Sequence, residues 1–199
     1  RIKLPAVLVT NTAESLGFDN LSSVTTDDQS ASERAVEYLV SMGHERIGVI
    51  GGSCEASNIS NTRMKGVLAV TEAHGLGFDP ELQFEQARYS FESAYRAAHR
   101  LLEKNPGITA VFAMSDVMAI GAMRAMADRG LRIPHDISIA GYDGIELVNY
   151  YNPKLTTIRQ LQDELAKNGV DILLKQIERN AAPLHKVLSY ELVEGESVK

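Results

Sequence analysis

Cysteine and tryptophan are the residue types that this sequence has least of. The 199-residue chain contains one cysteine, Cys54, and no tryptophan. A single cysteine excludes an internal disulfide and is compatible with a reducing compartment such as the cytosol. Aromatic residues make up only 6% of the chain while 44% of it is hydrophobic, so aliphatic side chains and methionine must fill the core.

The sequence also lacks an excess of positive charge and any long apolar run. Its net charge is −6, with basic and acidic residues interspersed. That pattern argues against a nucleic-acid-binding surface on these residues, because such surfaces cluster lysine and arginine. No apolar run approaches the roughly 20 residues of a membrane-spanning helix. We therefore expect neither nucleic acid nor a membrane to be bound by these residues.

Signatures of common enzymes and metal sites are missing as well. The chain has no Gly-x-Ser-x-Gly, no phosphate-binding P-loop and no Gly-x-Gly-x-x-Gly. Its histidines do not have the spacing of metal ligands. They are His44, His74, His99, His135 and His185. We expect a protein that is not an enzyme and that needs neither a metal nor an organic cofactor.

What the sequence does contain is most informative at residues 113–143. A strand ends at Ala113, Ser115 is a natural N-cap for a helix, and Gly130 is placed to end that helix. A buried strand and a glycine-flanked loop with Asp143 follow. These residues predict one β-α-β unit with polar groups at the carboxyl ends of both strands. Open α/β sheets bind ligands at that edge.

The same alternation runs along most of the chain. Strands separated by helices at regular intervals predict βαβ units and a mostly parallel sheet. The predicted strands are 6–9, 23–26, 46–50, 82–84, 110–113, 137–140, 155–158 and 184–193. The predicted helices are about 29–42, 58–74, 91–104, 116–129 and 161–179.

Several motifs resemble the effector-binding domain of the LacI/GalR transcription regulators, in that family's order and at its usual spacing. They are PAVLV at 5–9, AVEYLVSMGHERIGVIGG at 35–52, RMKG at 63–66, LRIPHDISIAGYD at 131–143 and PKLTTIRQ at 153–160. Each motif alone is weak, but together they span nearly the whole chain. By this resemblance the chain is identified as a member of the family.

The resemblance implies an α/β fold of the periplasmic-binding-protein-like class I type, with two Rossmann-like lobes and parallel sheets. Residues 1–26 and 160–180 would belong to the N-terminal lobe. Residues 28–157 and 183–197 would form the C-terminal lobe. The family's helix-turn-helix headpiece and the first units of its N-terminal lobe have no counterpart here. We therefore expect an N-terminally truncated chain with an incomplete N-terminal lobe.

The resemblance further implies a cytoplasmic effector-binding and dimerisation domain of a transcriptional regulator. A small polar effector, such as a sugar or a nucleoside-like molecule, would bind between the lobes. Its differential affinity for two lobe arrangements would control operator DNA binding by a headpiece that is not in these residues. A homodimer would form through a surface that includes the helix beginning at Asp116 and the segment around Tyr150 and Tyr151.

Five residues are the candidate effector contacts. They are Arg63, Asp143, Ser115, Tyr89 and Gln162. By resemblance the guanidinium of Arg63 would grip hydroxyl oxygens, the Asp143 carboxylate would accept hydrogen bonds, and Tyr89 would offer an aromatic face. Gln162 would line the cleft from the other lobe. The chain departs from the family where Asn is frequent, at Ser115, and where Asp or Asn is frequent, at Gly144, so the effector contacts are expected to differ.

Each candidate near the strand ends also has a purely structural interpretation. Arg63 could be a solvated helix arginine, and Asp143 could form an Asx-turn with its own backbone. Tyr89 could be ordinary core packing, and Ser115 could serve only as a helix cap. Asp116, next to that cap, is expected to be structural.

Two other functions fit parts of the sequence. An exported solute-binding protein of the same fold, feeding an ABC transporter for a sugar, is the nearer alternative. A small α/β hydrolase that uses Asp116 and Asp143 as an acid/base pair is the more distant one, because the chain offers no plausible nucleophile beside them.

Overall fold

The computed structural model of this chain describes residues 4–12, 20–179 and 181–199. The chain divides into two compact units. Unit 1 falls within Arg1–Asp28 and Gln160–Tyr190, and unit 2 comprises Gln29–Arg159 and Glu191–Lys199. Each unit has its own sheet and its own core.

The secondary structure alternates strands and helices along the chain. The strands are β1 (Ala6–Val9), β2 (Leu21–Thr26), β3 (Ile47–Gly51), β4 (Phe84–Gln86), β5 (Ala110–Ala113), β6 (Ser138–Asp143), β7 (Thr156–Gln160), β8 (His185–Leu188) and β9 (Tyr190–Val193). The helices are α1 (Asp28–Ser41), α2 (Asn58–Ala73), α3 (Pro80–Gln83), α4 (Phe91–Lys104), α5 (Asp116–Asp128) and α6 (Gln162–Arg179). A 3-10 turn covers Glu146–Asn149.

Serine caps fix where three helices of unit 2 begin. The hydroxyl oxygens of Ser57, Ser90 and Ser115 accept hydrogen bonds from the backbone N–H three residues later, at 3.3, 3.3 and 3.2 Å. Each cap satisfies one of the N–H groups that a helix leaves without a partner at its N-terminus. The helices therefore start directly after the strands or loops that precede them.

The sheet of unit 2 has six strands in the order β4-β3-β5-β6-β7-β9. The pairs β3–β4, β3–β5, β5–β6 and β6–β7 are parallel, so the carboxyl ends of these strands share one edge. Its core is made mainly of aliphatic and methionine side chains, with Phe112 of β5 and Tyr142 of β6 as large aromatic members. Its fully buried members include Leu39, Val49, Ile50, Leu101, Phe112, Ile139 and Ile158.

Unit 1 is a three-stranded parallel sheet in the order β1-β2-β8 with α6 against it. Its small core joins Val24 and Leu188 of the sheet to Leu165 and Ile172 of α6. Gly169 lets the helix approach the sheet closely, because a Cβ there would lie 2.9 Å from a methyl group of Val9. Within the described residues, no helix combines the length and the apolar character that crossing a membrane would need.

The predicted α/β architecture with parallel sheets is confirmed, but three predicted segments need correction. Residues 184–193 do not form one strand: β8 pairs with β2 in unit 1, whereas β9 joins β7 in unit 2. The prediction that 183–197 belong to the C-terminal lobe is therefore wrong for the first residues of that range, which lie in unit 1. At 82–84 the predicted strand is largely α3, because Asp79 caps a short turn that opens with Pro80. The predicted strand 137–140 continues as far as Asp143.

Gly66, the last residue of the RMKG motif, is a test of close packing between α1 and α2. A Cβ at this position would lie 2.5 Å from the carbonyl oxygen of Gln29 and 2.9 Å from the backbone nitrogen of Glu33. We expect Gly66→Ala to lower the free energy of unfolding by about 1–3 kcal/mol, because neither backbone group can move aside cheaply. Urea denaturation followed by circular dichroism measures this change.

Gly77→Ala is the matched control, because a Cβ at Gly77 meets nothing within 4 Å. This variant should keep the stability of the parent chain. Equal stability of the two variants would show that the contact between α1 and α2 does not need glycine.

Candidate functional site

Four strands of unit 2 end side by side and bring polar residues to one edge of the sheet. The registers Gly51↔Gln86 and Ile50↔Ala113 align the ends of β3, β4 and β5, and β6 ends beside β5 at Asp143. Helix α2, which follows β3, carries side chains back over this edge. The polar side chains gathered here are Ser60, Arg63, Tyr89, Ser115 and Asp143.

Arg63 is the central cation of the site, and it is only 4% exposed. Its guanidinium carbon lies 3.6 Å from the centroid of the Tyr142 ring. Its Nη1 donates a hydrogen bond to the carbonyl oxygen of Met114 and lies 3.9 Å from Oδ1 of Asp143. A buried charge requires such partners to offset its lost hydration, and the aromatic face adds a favourable electrostatic contact. The interpretation of Arg63 as a solvated helix arginine is therefore wrong.

Asp143 is the last residue of β6 rather than part of the loop after it. Its side chain is 24% exposed, so the carboxylate is accessible while lying near the guanidinium of Arg63. Its backbone has φ 117°, in the region that favours glycine, and Gly144 follows at φ 72°. A non-glycine residue in that region must be held by its surroundings. The carboxylate thus stands on a constrained turn.

Tyr89 and Ser60 form a hydrogen-bonded pair at the rim of the site. Their hydroxyl oxygens are 2.8 Å apart. Gly52 makes room for the pair, because a Cβ there would lie 2.5 Å from Oγ of Ser60 and 2.6 Å from Cε2 of Tyr89. Tyr89 is 40% exposed, so it is not ordinary core packing. Ser60 was not among the predicted site residues, although it precedes Arg63 by three residues and hence shares its helix face.

Ser115 and Asp116 are both buried at the start of α5. Ser115 caps the helix, as its structural interpretation predicts, and is 3% exposed. Asp116 is fully buried, and its two carboxylate oxygens accept hydrogen bonds from Oγ1 of Thr157 at 2.6 Å and from the backbone N–H of Ile145 at 2.8 Å. Burial raises the pKa of Asp116 to about 7 in spite of these hydrogen bonds. Tyr142 and Thr157, the partners of Arg63 and Asp116, were not predicted.

The remaining predicted residue, Gln162, lies in unit 1, where it is exposed at the first position of α6. Its role as an effector contact stays a prediction. Within residues 4–12, 20–179 and 181–199, no group of three or more metal-ligating side chains comes together. The site of unit 2 therefore offers a guanidinium, a carboxylate and hydroxyl groups, a set suited to hydrogen bonding with a polar ligand.

Comparison with known proteins identifies a family. The family model of the periplasmic binding protein-like domain matches residues 36–198. The chain is 36% identical over 200 residues to the HTH-type transcriptional regulator MalR of Clostridium butyricum. That match covers 98% of the chain and 58% of the relative, so the chain spans little more than half of that protein's length.

Solved structures agree with this family. The transcription regulator CcpA of Lactococcus lactis superposes with a TM-score of 0.88 at 27% identity, over 98% of this chain and 70% of that one. A LacI family transcriptional regulator from Enterococcus faecium with bound ribose superposes with a TM-score of 0.86 at 28% identity, over the same shares of the two chains. The predicted periplasmic-binding-protein-like fold is confirmed.

Asp116 should make the stability of unit 2 depend on pH. Its pKa is raised on folding from 3.8 to about 7. Its contribution to stability is therefore complete below about pH 4 and is lost as the pH rises toward 7 and the buried group ionises. We expect the Asp116→Asn variant, measured by urea denaturation, to gain stability relative to the parent as the pH rises from 4 to 7.

The exposed Asp163→Asn variant, at the start of α6, is the control, and its stability relative to the parent should show no such trend. A constant difference between the parent and Asp116→Asn at pH 5 and pH 8 would mean that Asp116 does not titrate in this range.

Proposed function

Because the chain belongs to the periplasmic-binding-protein-like family that it shares with LacI-type transcriptional regulators, we propose that it is the effector-binding and dimerisation domain of such a regulator. The observation that carries the proposal is the buried guanidinium of Arg63, held over Tyr142 and beside the accessible carboxylate of Asp143. A donor and an acceptor fixed side by side suit neighbouring hydroxyl groups of one small molecule.

The proposed effector is a sugar or a nucleoside-like molecule. A ring with several hydroxyl groups matches the alternation of donors and acceptors from Arg63, Asp143 and the Tyr89–Ser60 pair. The apolar face of such a ring suits the exposed ring of Tyr89. The related regulator from Enterococcus faecium carries bound ribose, which supports this class.

The effector would act by favouring one arrangement of two lobes. We assign unit 1 to the N-terminal lobe and unit 2 to the C-terminal lobe. The effector shifts the balance only if its affinity for the two arrangements differs. Operator DNA would be bound by a helix-turn-helix segment outside these 199 residues, in the cytoplasm. The domain would make and break no bonds.

The same proposal includes a homodimer. An apolar depression on unit 2 is lined by Phe91, Tyr95, Ile120 and Tyr151, with Arg124 and Asp128 among its polar lining residues. Phe91 is 47% exposed and the adjoining Tyr150 is 78% exposed. Exposed aromatic side chains around an apolar centre are typical of subunit interfaces. Residues of α5 and Tyr151 line this depression, which supports an interface around α5, Tyr150 and Tyr151.

The alternative of an exported solute-binding protein is not favoured, because the relatives and neighbours compared above are transcriptional regulators. The hydrolase alternative has no support in the geometry. Asp116 is fully buried, and both of its carboxylate oxygens already accept hydrogen bonds.

A thermal-unfolding screen with D-ribose, maltose, cellobiose and cytidine tests the ligand. A ligand at about 100 times its Kd stabilises by about 2.7 kcal/mol, which corresponds to about 5–10 °C in Tm. We expect one ligand to give such a shift and Arg63→Met and Asp143→Asn to remove it. Arg63→Met removes the guanidinium donors, and Asp143→Asn replaces one charged acceptor oxygen with an amide donor.

Arg132→Ala is the matched control, because Arg132 is a 73% exposed arginine that pairs with Asp136 in a turn of the same unit. It should keep the full shift. A ligand that stabilises the Arg63 and Asp143 variants as strongly as the parent would place its site elsewhere.

Phe91→Glu tests the dimer surface. A charge in place of an aromatic anchor should raise the Kd of the dimer by about thirtyfold or more, since loss of such an anchor costs about 2 kcal/mol. Sedimentation velocity over a range of concentrations measures this Kd. Leu82→Glu, on α3 and 46% exposed in the parent, should leave it unchanged. Equal dimerisation of both variants would rule out this surface.

A further inference from the structure

Asp116 lies where three elements of unit 2 meet. It is the first residue of α5, it accepts the Thr157 hydroxyl of β7, and it accepts the backbone N–H of Ile145, two residues after Asp143. Gly141 of β6 leaves space for the carboxylate, because a Cβ there would collide with Oδ1 of Asp116. The carboxylate therefore fills a position that the backbone of β6 is shaped to leave open.

The turn that Asp116 holds is the one that aims the carboxylate of Asp143. Asp143 and Gly144 have consecutive positive φ values of 117° and 72°. On one side the turn is pressed against β7, because a Cβ on Gly144 would lie 2.6 Å from the Cα of Arg159. On the other side the hydrogen bond from the N–H of Ile145 ties it to Asp116. These two contacts help to hold Asp143 in a backbone conformation that residues other than glycine rarely adopt.

We infer that Asp116 is the positioning residue for Asp143, and that protonation of the Asp116 carboxylate loosens the 143–145 turn and so weakens effector binding at pH values below neutrality. The charged form accepts hydrogen bonds through both oxygens more strongly than the neutral acid does. The effect on effector binding rests on the proposed function of the domain. The positioning of Asp143 by Asp116 does not depend on that proposed function.

The surroundings of Asp116 bring its pKa close to neutral pH. Burial is the largest influence and raises the pKa to about 7, and the negative charge of Asp143 raises it further. Hydrogen bonds from Thr157, Ile145 and Gly144 lower it.

The elements packed around Asp116 present few other charges to it. β6 offers the neutral Gly141 and the charged Asp143, and β7 offers the neutral Thr157. Arg159, the next charged residue of β7, is engaged with Glu191 at 3.3 Å. Asp143 is therefore the charged neighbour whose removal should move the titration of Asp116.

The test is a pH titration of the 199-residue chain by ¹⁵N–¹H correlation spectra from pH 5.5 to 8.5, without any ligand. We expect the amides of Gly144 and Ile145 to titrate together with one midpoint near neutrality. Asp116→Asn should abolish that transition. Asp128→Asn, an exposed residue at the far end of α5, should leave it unchanged.

Two further variants should move the midpoint in opposite directions. Asp143→Asn removes a repelling charge and should shift it to lower pH. Thr157→Val removes a hydrogen bond to the charged form and should shift it to higher pH. Both keep side-chain volume, so the test remains available if Asp116→Asn folds poorly. Amides of Gly144 and Ile145 that do not titrate, or a midpoint indifferent to both variants, would overturn the inference.

Binding of D-ribose at pH 6 and pH 8 separates this inference from the proposed function. Tighter binding at pH 8 in the parent, with no pH difference in Asp116→Asn, supports both. If D-ribose does not bind but the amide titration behaves as described, the positioning role stands and this sugar is not the effector. If D-ribose binds equally at both pH values, the claimed link between the turn and the ligand is wrong.

Discussion

The candidate site is organised around one buried positive charge. Arg63 gives up most of its hydration, and the Tyr142 ring, the Met114 carbonyl and the Asp143 carboxylate replace it. These partners come from the ends of β5 and β6, whereas Arg63 comes from the helix after β3. The guanidinium therefore fixes α2 against two strand ends, and this contact helps to position the other polar groups of the candidate site.

The parallel sheet makes such a meeting of distant residues possible. Because the strands run in one direction, every loop that leaves a carboxyl end opens at the same edge. Serine caps then start the helices directly above it. The few aromatic residues of the chain include two at the site: Tyr89 lies at its rim, and the fully buried Tyr142 contacts Arg63 with its ring.

The sequence was sufficient to predict the α/β class and most helix boundaries, because periodicity, serine caps and glycine stops are local signals. Arg63 was singled out by the resemblance of its motif and not by such a signal, and its contact with an effector stays a prediction. The sequence did not separate β8 from β9, since a strand's run of residues does not state which sheet it joins. Ser60, Tyr142 and Thr157 were missed for a related reason. Their partners lie 29 to 79 residues away in the sequence. Their hydroxyl groups also occur in every kind of environment, so the residue type alone does not indicate a role.

Helices α4 and α5 pack closely together and connect the sheet edge that carries the candidate site with the apolar depression around Phe91 and Tyr151. A Cβ on Gly121 would collide with the carbonyl oxygen of Phe91, so the two helices touch backbone to backbone. Both begin at the strand ends, next to Tyr89 and at Ser115, and both carry the surface proposed for the dimer on their flanks. At Gly121 no side chain separates the two helices, so a shift of one should move the other. If the proposed effector displaced the first turns of these helices, the flanks proposed to meet a second copy would move with them and change the angle between the two copies.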